Sequence, residues 1–90
     1  MTQRYLRNSE ATERAIDGVA FLALPGQGGI FQLNATGTAL WRLLEDPISA
    51  SEAAHILHTA FPDIPRSNIE SDVETLLSNL KRAGLVSVVD

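Results

Sequence analysis

Residues 49–89 read SASEAAHILHTAFPDIPRSNIESDVETLLSNLKRAGLVSVV, and this stretch decides the fold. Ser49 and Glu52 have the spacing of a capping box, in which a side chain and a backbone amide at each end satisfy one another at a helix start. Ala53, Ile56, Leu57, Ala60 and Phe61 then recur at helical spacing and predict one buried stripe. Phe61-Pro62-Asp63-Ile64-Pro65 interrupts the helix, and Ser67 with Glu70 offers a second capping box for a longer one. Its apolar face is Ile69, Val73, Leu76, Leu77 and Leu80. Gly84 supplies the left-handed residue that ends many helices, and Leu85–Val89 is β-branched enough for a short closing strand.

Working outward, Asn34 is placed to cap an earlier helix running to about Glu45, with Leu40, Trp41, Leu43 and Leu44 as its apolar cluster. Asp46-Pro47 stops it, because a residue before proline avoids the α region. Before that, Thr12–Ile16 and Val19–Leu24 flank Asp17-Gly18, a dipeptide suited to a tight hairpin turn. Pro25–Gly29 breaks the chain, and Ile30–Leu33 resumes an extended apolar pattern. The order is three strands, three helices and one strand. These are the parts of an α+β, winged helix-turn-helix-like domain, with a three-stranded antiparallel sheet preceding the helices. Residues 1–90 are expected to form a single domain, with residues 1–10 either mobile or dependent on a partner for order.

Hydrophobic residues make up 44% of the 90-residue chain and charged residues 20%, the profile of a folded globular protein. There is no cysteine, so disulfides, thiolate metal sites and thiol nucleophiles are excluded. No apolar run has the length of a secretory signal or of a membrane-spanning helix, so the expected location is the cytoplasm. The net charge of −4 is unevenly spread: three cations balance three anions in residues 1–34, while four cations face eight anions in residues 35–90. That second part repels a phosphate backbone and suits a neutral or basic partner.

Candidate chemistry is sparse. Glu52, His55 and His58 have spacing compatible with half of a helical metal site, but both histidines point away from the apolar stripe and no second motif exists, so no metal is expected. The glycines of Gly26-Gln27-Gly28-Gly29 precede a strand instead of opening a helix, which suits a hairpin loop and not a phosphate cradle. Asn34-Ala35-Thr36 has the form of a glycosylation acceptor, yet helix capping explains it better. A DNA reader would place bases and phosphates against the start of the last helix, where Glu70, Asp72 and Glu74 stand. With no nucleophile elbow and no cofactor motif, the expectation is a protein that is not an enzyme and carries no cofactor. What remains is a sheet edge. Ile30–Leu33 beside the third helix either accepts an incoming strand or is covered by residues 1–10.

Leu33-Asn34-Ala35-Thr36-Gly37-Thr38-Ala39-Leu40-Trp41-Arg42-Leu43-Leu44-Glu45, followed by Pro47, Phe61, Asp72-Val73, Leu76-Leu77, Leu80 and Gly84-Leu85, resembles the PqqD-like family. The resemblance runs without a gap from about Leu33 to Val86, and the preceding strands suit the family's sheet. It implies a recognition element for a ribosomally made, post-translationally modified peptide, one that binds the precursor's leader as an added strand and delivers it to a tailoring enzyme. By position, the leader would pair with Ile30, Phe31, Gln32 and Leu33 and touch Asp72, Thr75, Leu76 and Asn79. Thr36, Gly37 and Trp41 resemble the broader family more than its members in pyrroloquinoline quinone (PQQ) synthesis. Trp41 is expected in the core with one partner for its indole N–H. Two other readings stay open: a winged-helix DNA-binding regulator and a non-catalytic subunit of a larger enzyme. A free edge also permits a homodimer.

Overall fold

The computed structural model describes residues 3–26 and 28–89; Gln27, within the expected Pro25–Gly29 loop, lies outside the described residues. In chain order the elements are β1 (Arg4–Arg7), β2 (Thr12–Ile16), β3 (Val19–Ala23), β4 (Phe31–Gln32), α1 (Ala35–Leu43), β5 (Ile48–Ser49), α2 (Ala50–Ala60), α3 (Arg66–Arg82) and β6 (Val86–Val89). The expected three-stranded antiparallel sheet, three helices and closing strand are all present.

The strands form two sheets. In the first, β2 and β3 pair in the register Thr12↔Ala23 to Ile16↔Val19, joined by Asp17 and Gly18. Both of these residues have positive φ, 53° and 80°, as the turn favoured in two-residue hairpins demands. β4 adds to the far side of β3. The second sheet has the order β5-β1-β6, and the sequence pattern missed it. Residues 4–7 are its central strand, paired with Val86–Val89 on one side and Ile48–Ser49 on the other. Arg4–Arg7 carries too little apolar alternation to read as a strand; β5 is two residues long and sits inside a helix-capping motif.

Three local expectations are corrected. Ser67 and Glu70 do not form a capping box: α3 begins two residues earlier than that box requires, at Arg66, with Pro65 in place of Ser67 as its N-cap. Proline's fixed φ, here −56°, presets the first turn, and the Pro65 carbonyl accepts from both Asn68 and Ile69. Ser67 therefore sits inside the helix, and Glu70 pairs with Arg66 at 3.5 Å. The buried stripe of α2 is Ala53, Ala54 and Leu57, whereas Ile56 is 43% exposed and Ala60 is also exposed. At about 100° per residue Ile56 stands about 100° from Leu57, off the arc that Ala53 and Ala54 share with it, and Ala60 is the last residue of the helix. The third strand is Phe31–Gln32, not Ile30–Leu33. The register Leu22↔Phe31 sets Ile30 against Ala23, the last residue of β3, but the pairing covers only Phe31 and Gln32.

The first capping box is present in full: Ser49 Oγ accepts from the Glu52 amide and Glu52 Oε1 accepts from the Ser49 amide, each at 3.1 Å. Gly84, at φ 79°, ends α3 as expected, with the Leu85 amide reaching the Leu80 carbonyl and the Gly84 amide reaching that of Lys81. The core lies between the helices and both sheets, centred on Leu22, Leu33, Leu40, Leu57, Ile69, Val73, Leu77 and Leu80. Trp41 belongs to it, 2% exposed, with its indole N–H donating to Glu13.

Candidate functional site

β4 is an edge strand, paired on one side only. Its orientation follows from one bond, in which the Leu33 amide donates to the Ala20 carbonyl at 2.8 Å. Successive strand residues turn their backbone groups to opposite sides. Hence Phe31 and Leu33 address β3, while the N–H and C=O of Gln32 face outward, into the trough between β4 and α3. β1 does not cover this edge, because it is the centre of the other sheet.

The ladder ends at a built corner. Opposite Leu33, the Ala20 amide would next bond the Leu33 carbonyl, but it donates instead to Thr38 Oγ1 at 3.2 Å. A buried hydroxyl on α1 thus completes the strand where the chain turns into the helix. Asn34 caps that helix, its Oδ1 accepting from the Gly37 amide at 2.7 Å.

α3 forms the other wall. Asp72, Thr75, Leu76 and Asn79 stand at i, i+3, i+4 and i+7, which is one helical face, beside the buried stripe of Ile69, Val73, Leu77 and Leu80. Asp72, Thr75 and Asn79 are exposed and Leu76 is half-buried, so this face offers polar groups around an apolar centre.

The trough contains two hollows. The first, about 200 Å³, is where Gln32 and Leu33 meet all four of those α3 residues, over a floor that includes Gly37, Leu40 and Leu57. The second, about 140 Å³, lies between Ile30, Phe31 and Leu22 on the sheet side and Ala83 and Leu85 beyond the helix end. β4 and α3 therefore run in opposite directions along the trough. From Leu33 to Ile30 an extended chain spans about 10 Å, and from Leu76 to Ala83 a helix spans about 10 Å, so the hollows follow one another along both walls. Ile30, 74% exposed, stands at the rim of the second.

Of the eight residues expected to form a binding surface, Gln32, Leu33, Asp72, Thr75, Leu76 and Asn79 line the first hollow together, and Ile30 and Phe31 line the second. Sequence reasoning missed the contribution of Thr36, Gly37, Leu40, Leu57 and Val73. The available signal was Gly37: a glycine inside a helix, at a cost of up to about 1 kcal/mol relative to alanine, asks for a packing reason. Elsewhere, His55 is exposed, His58 is partly so, and Glu52 is occupied by the capping box. The Ser49 amide first, and the Ser49 hydroxyl second, hold the Glu52 carboxyl below its ordinary pKa. Among the described residues no group of three or more His, Cys, Asp or Glu is placed to hold a metal ion, and no helix is long and apolar enough to cross a membrane.

A winged-helix-like α+β domain with an open strand edge facing a grooved helix is the class this geometry defines. The family model described as coenzyme PQQ synthesis protein D (PqqD) matches residues 13–86, which span the hairpin, all three helices and the start of β6. The chain belongs to the PqqD family. The solved structure of TbiB1 in complex with the TbiA(beta) leader peptide shares the fold, with a TM-score of 0.76 and 24% identity over 91% of this chain and 94% of that one. No curated protein is similar enough to count as a match.

Proposed function

We propose that this protein is a non-catalytic adaptor that binds the leader segment of a ribosomally synthesised precursor peptide and presents it to a tailoring enzyme of the same pathway. The leader adds as a strand to the outer edge of β4, exchanging backbone hydrogen bonds with Gln32, and lays side chains into the trough along α3. The observation that carries this reading is the juxtaposition of an open strand edge with two successive hollows on a single helix wall. Strand addition needs both parts, because the backbone bonds supply affinity for any extended peptide and the pockets supply selectivity. Membership of the PqqD family and the leader peptide held by the similarly folded TbiB1 support it.

Burying one large apolar side chain contributes about 1.5–3 kcal/mol, and the trough has room for one in each hollow as well as an exposed Ile30 to cover. Ordering the peptide offsets part of this gain. Asp72, exposed at the rim, adds at most about 1 kcal/mol through a leader Lys or Arg and acts mainly on the rate of encounter. A DNA-reading role is disfavoured by Glu70, Asp72 and Glu74, all exposed along the first turns of α3.

The test is isothermal titration of the protein with synthetic leader segments of the short precursor peptides encoded beside its gene, at low and high salt. Saturable one-to-one binding that changes little with salt is expected. Binding of duplex DNA with a steep salt dependence, and none of the peptides, would replace the adaptor with a regulator.

A further inference from the structure

Gly37 is the third residue of α1, in the first turn of the helix. It is buried in α1, and its backbone is not in the left-handed region, so conformational freedom does not explain a glycine there. Space does. A Cβ at this position would stand 3.1 Å from Leu76 Cδ2, 3.3 Å from Leu33 Cδ2 and 3.1 Å from Asn34 Oδ1. All three neighbours line the first hollow, as Gly37 itself does.

The three differ in how far they can yield. Leu33 is 2% exposed, packed into the core and fixed by its bond to Ala20. Asn34 is held by its capping bond to the Gly37 amide. Leu76 is only half-buried, and its open side is the hollow. A side chain at position 37 therefore relieves its crowding by driving Leu76 outward into the space that the trough leaves empty.

We infer that Gly37 is a specificity-determining residue: by lacking a Cβ it lets Leu76 lie back against α1, and this sets the depth of the first hollow and so the size of the leader side chain that anchors there. The hollow, about 200 Å³, then takes one large apolar anchor, and a shorter anchor leaves it underfilled. The inference rests on the adaptor reading, and it assigns to α1, which contributes no strand edge and no helix wall, control over which leaders are accepted.

The test compares the tightest-binding synthetic leader segment with a version whose anchor residue, found by alanine substitution along the peptide, is shortened. Four proteins are titrated: wild type, Gly37→Ala, Leu76→Val and the double variant. For Gly37→Ala, affinity for the full-sized anchor is expected to fall by about tenfold, the scale of one methylene in an apolar pocket, while affinity for the shortened anchor holds or rises. Adding Leu76→Val removes the displaced methyl and is expected to restore the full-sized anchor. In the peptide-free protein, the Leu76 δ-methyl resonances of Gly37→Ala should shift, reporting a changed side-chain rotamer. Equal loss for both peptides, with no rescue by the double variant, would reduce Gly37 to a packing residue and overturn the inference. Unmoved Leu76 methyls would do the same without any peptide. Failure of wild type to bind any leader segment would instead remove the adaptor reading on which the inference stands.

Discussion

The indole N–H of Trp41 donates to Glu13 Oε1 across 3.1 Å, tying the middle of α1 to the outer strand of the hairpin. Arg7 lies over the same ring, 5.5 Å from its centroid, and Arg42 approaches the other Glu13 oxygen at 3.8 Å. Trp41 is 2% exposed, so its N–H has little water to fall back on. Glu13→Ala leaves that donor unpaired and is expected to cost about 1–3 kcal/mol. Glu13→Gln, which keeps an acceptor, should cost clearly less. Urea unfolding followed by the fluorescence of the sole tryptophan measures both.

Thr38 and Ala20 form the corresponding tie at the end of β3. Thr38→Val preserves shape but removes the acceptor of a buried backbone amide, for an expected loss of about 1–3 kcal/mol. Amide exchange should show faster opening at Ala20, and since Ala20 also accepts from Leu33, fraying should spread to the base of β4.

The capping box of α2 gives a pH dependence of known sign. The Ser49 amide and hydroxyl lower the Glu52 pKa in the folded protein, with Arg4 adding to the effect. Its stabilising contribution is therefore fully present above the ordinary carboxylate value and is lost as pH falls through the lowered folded value. Glu52→Gln should flatten that acid limb of the stability curve. Ser49→Ala should cost about 1 kcal/mol at neutral pH, read from the urea midpoint.

In the groove, Leu76→Asp is expected to abolish leader binding, since it places a charge at the apolar centre of the α3 face. Circular dichroism must show the helices intact, and the half-buried setting of Leu76 makes that outcome the expected one. Asp72→Asn should leave the complex nearly as tight while slowing association with a basic leader, a difference that stopped-flow kinetics at low salt resolves.

The elements with strong local chemistry were readable from sequence. Asp17-Gly18, the Ser49–Glu52 box and Gly84 each do what their residue types require locally, and the structure contains all three motifs. β1 and β5 were not readable, because their pairing joins residues 4–7 to both 48–49 and 86–89, and short polar strands announce such long-range partners poorly. Ser67 and Glu70 matched a motif whose place Pro65 had already taken. For the site, the α3 face was visible as an i, i+3, i+4, i+7 pattern once the groove was suspected. Its floor was not, since Gly37, Leu40 and Leu57 come together only through the packing of α1 and α2 beneath α3.

Amide hydrogen exchange at Gln32, measured with and without a bound leader segment, tests the central claim most directly. Its N–H faces outward from β4, so strand addition predicts strong protection at Gln32 on binding, with little change at Phe31 and Leu33, which already address β3. A leader that binds tightly while Gln32 exchanges as fast as before would contradict strand addition at this edge.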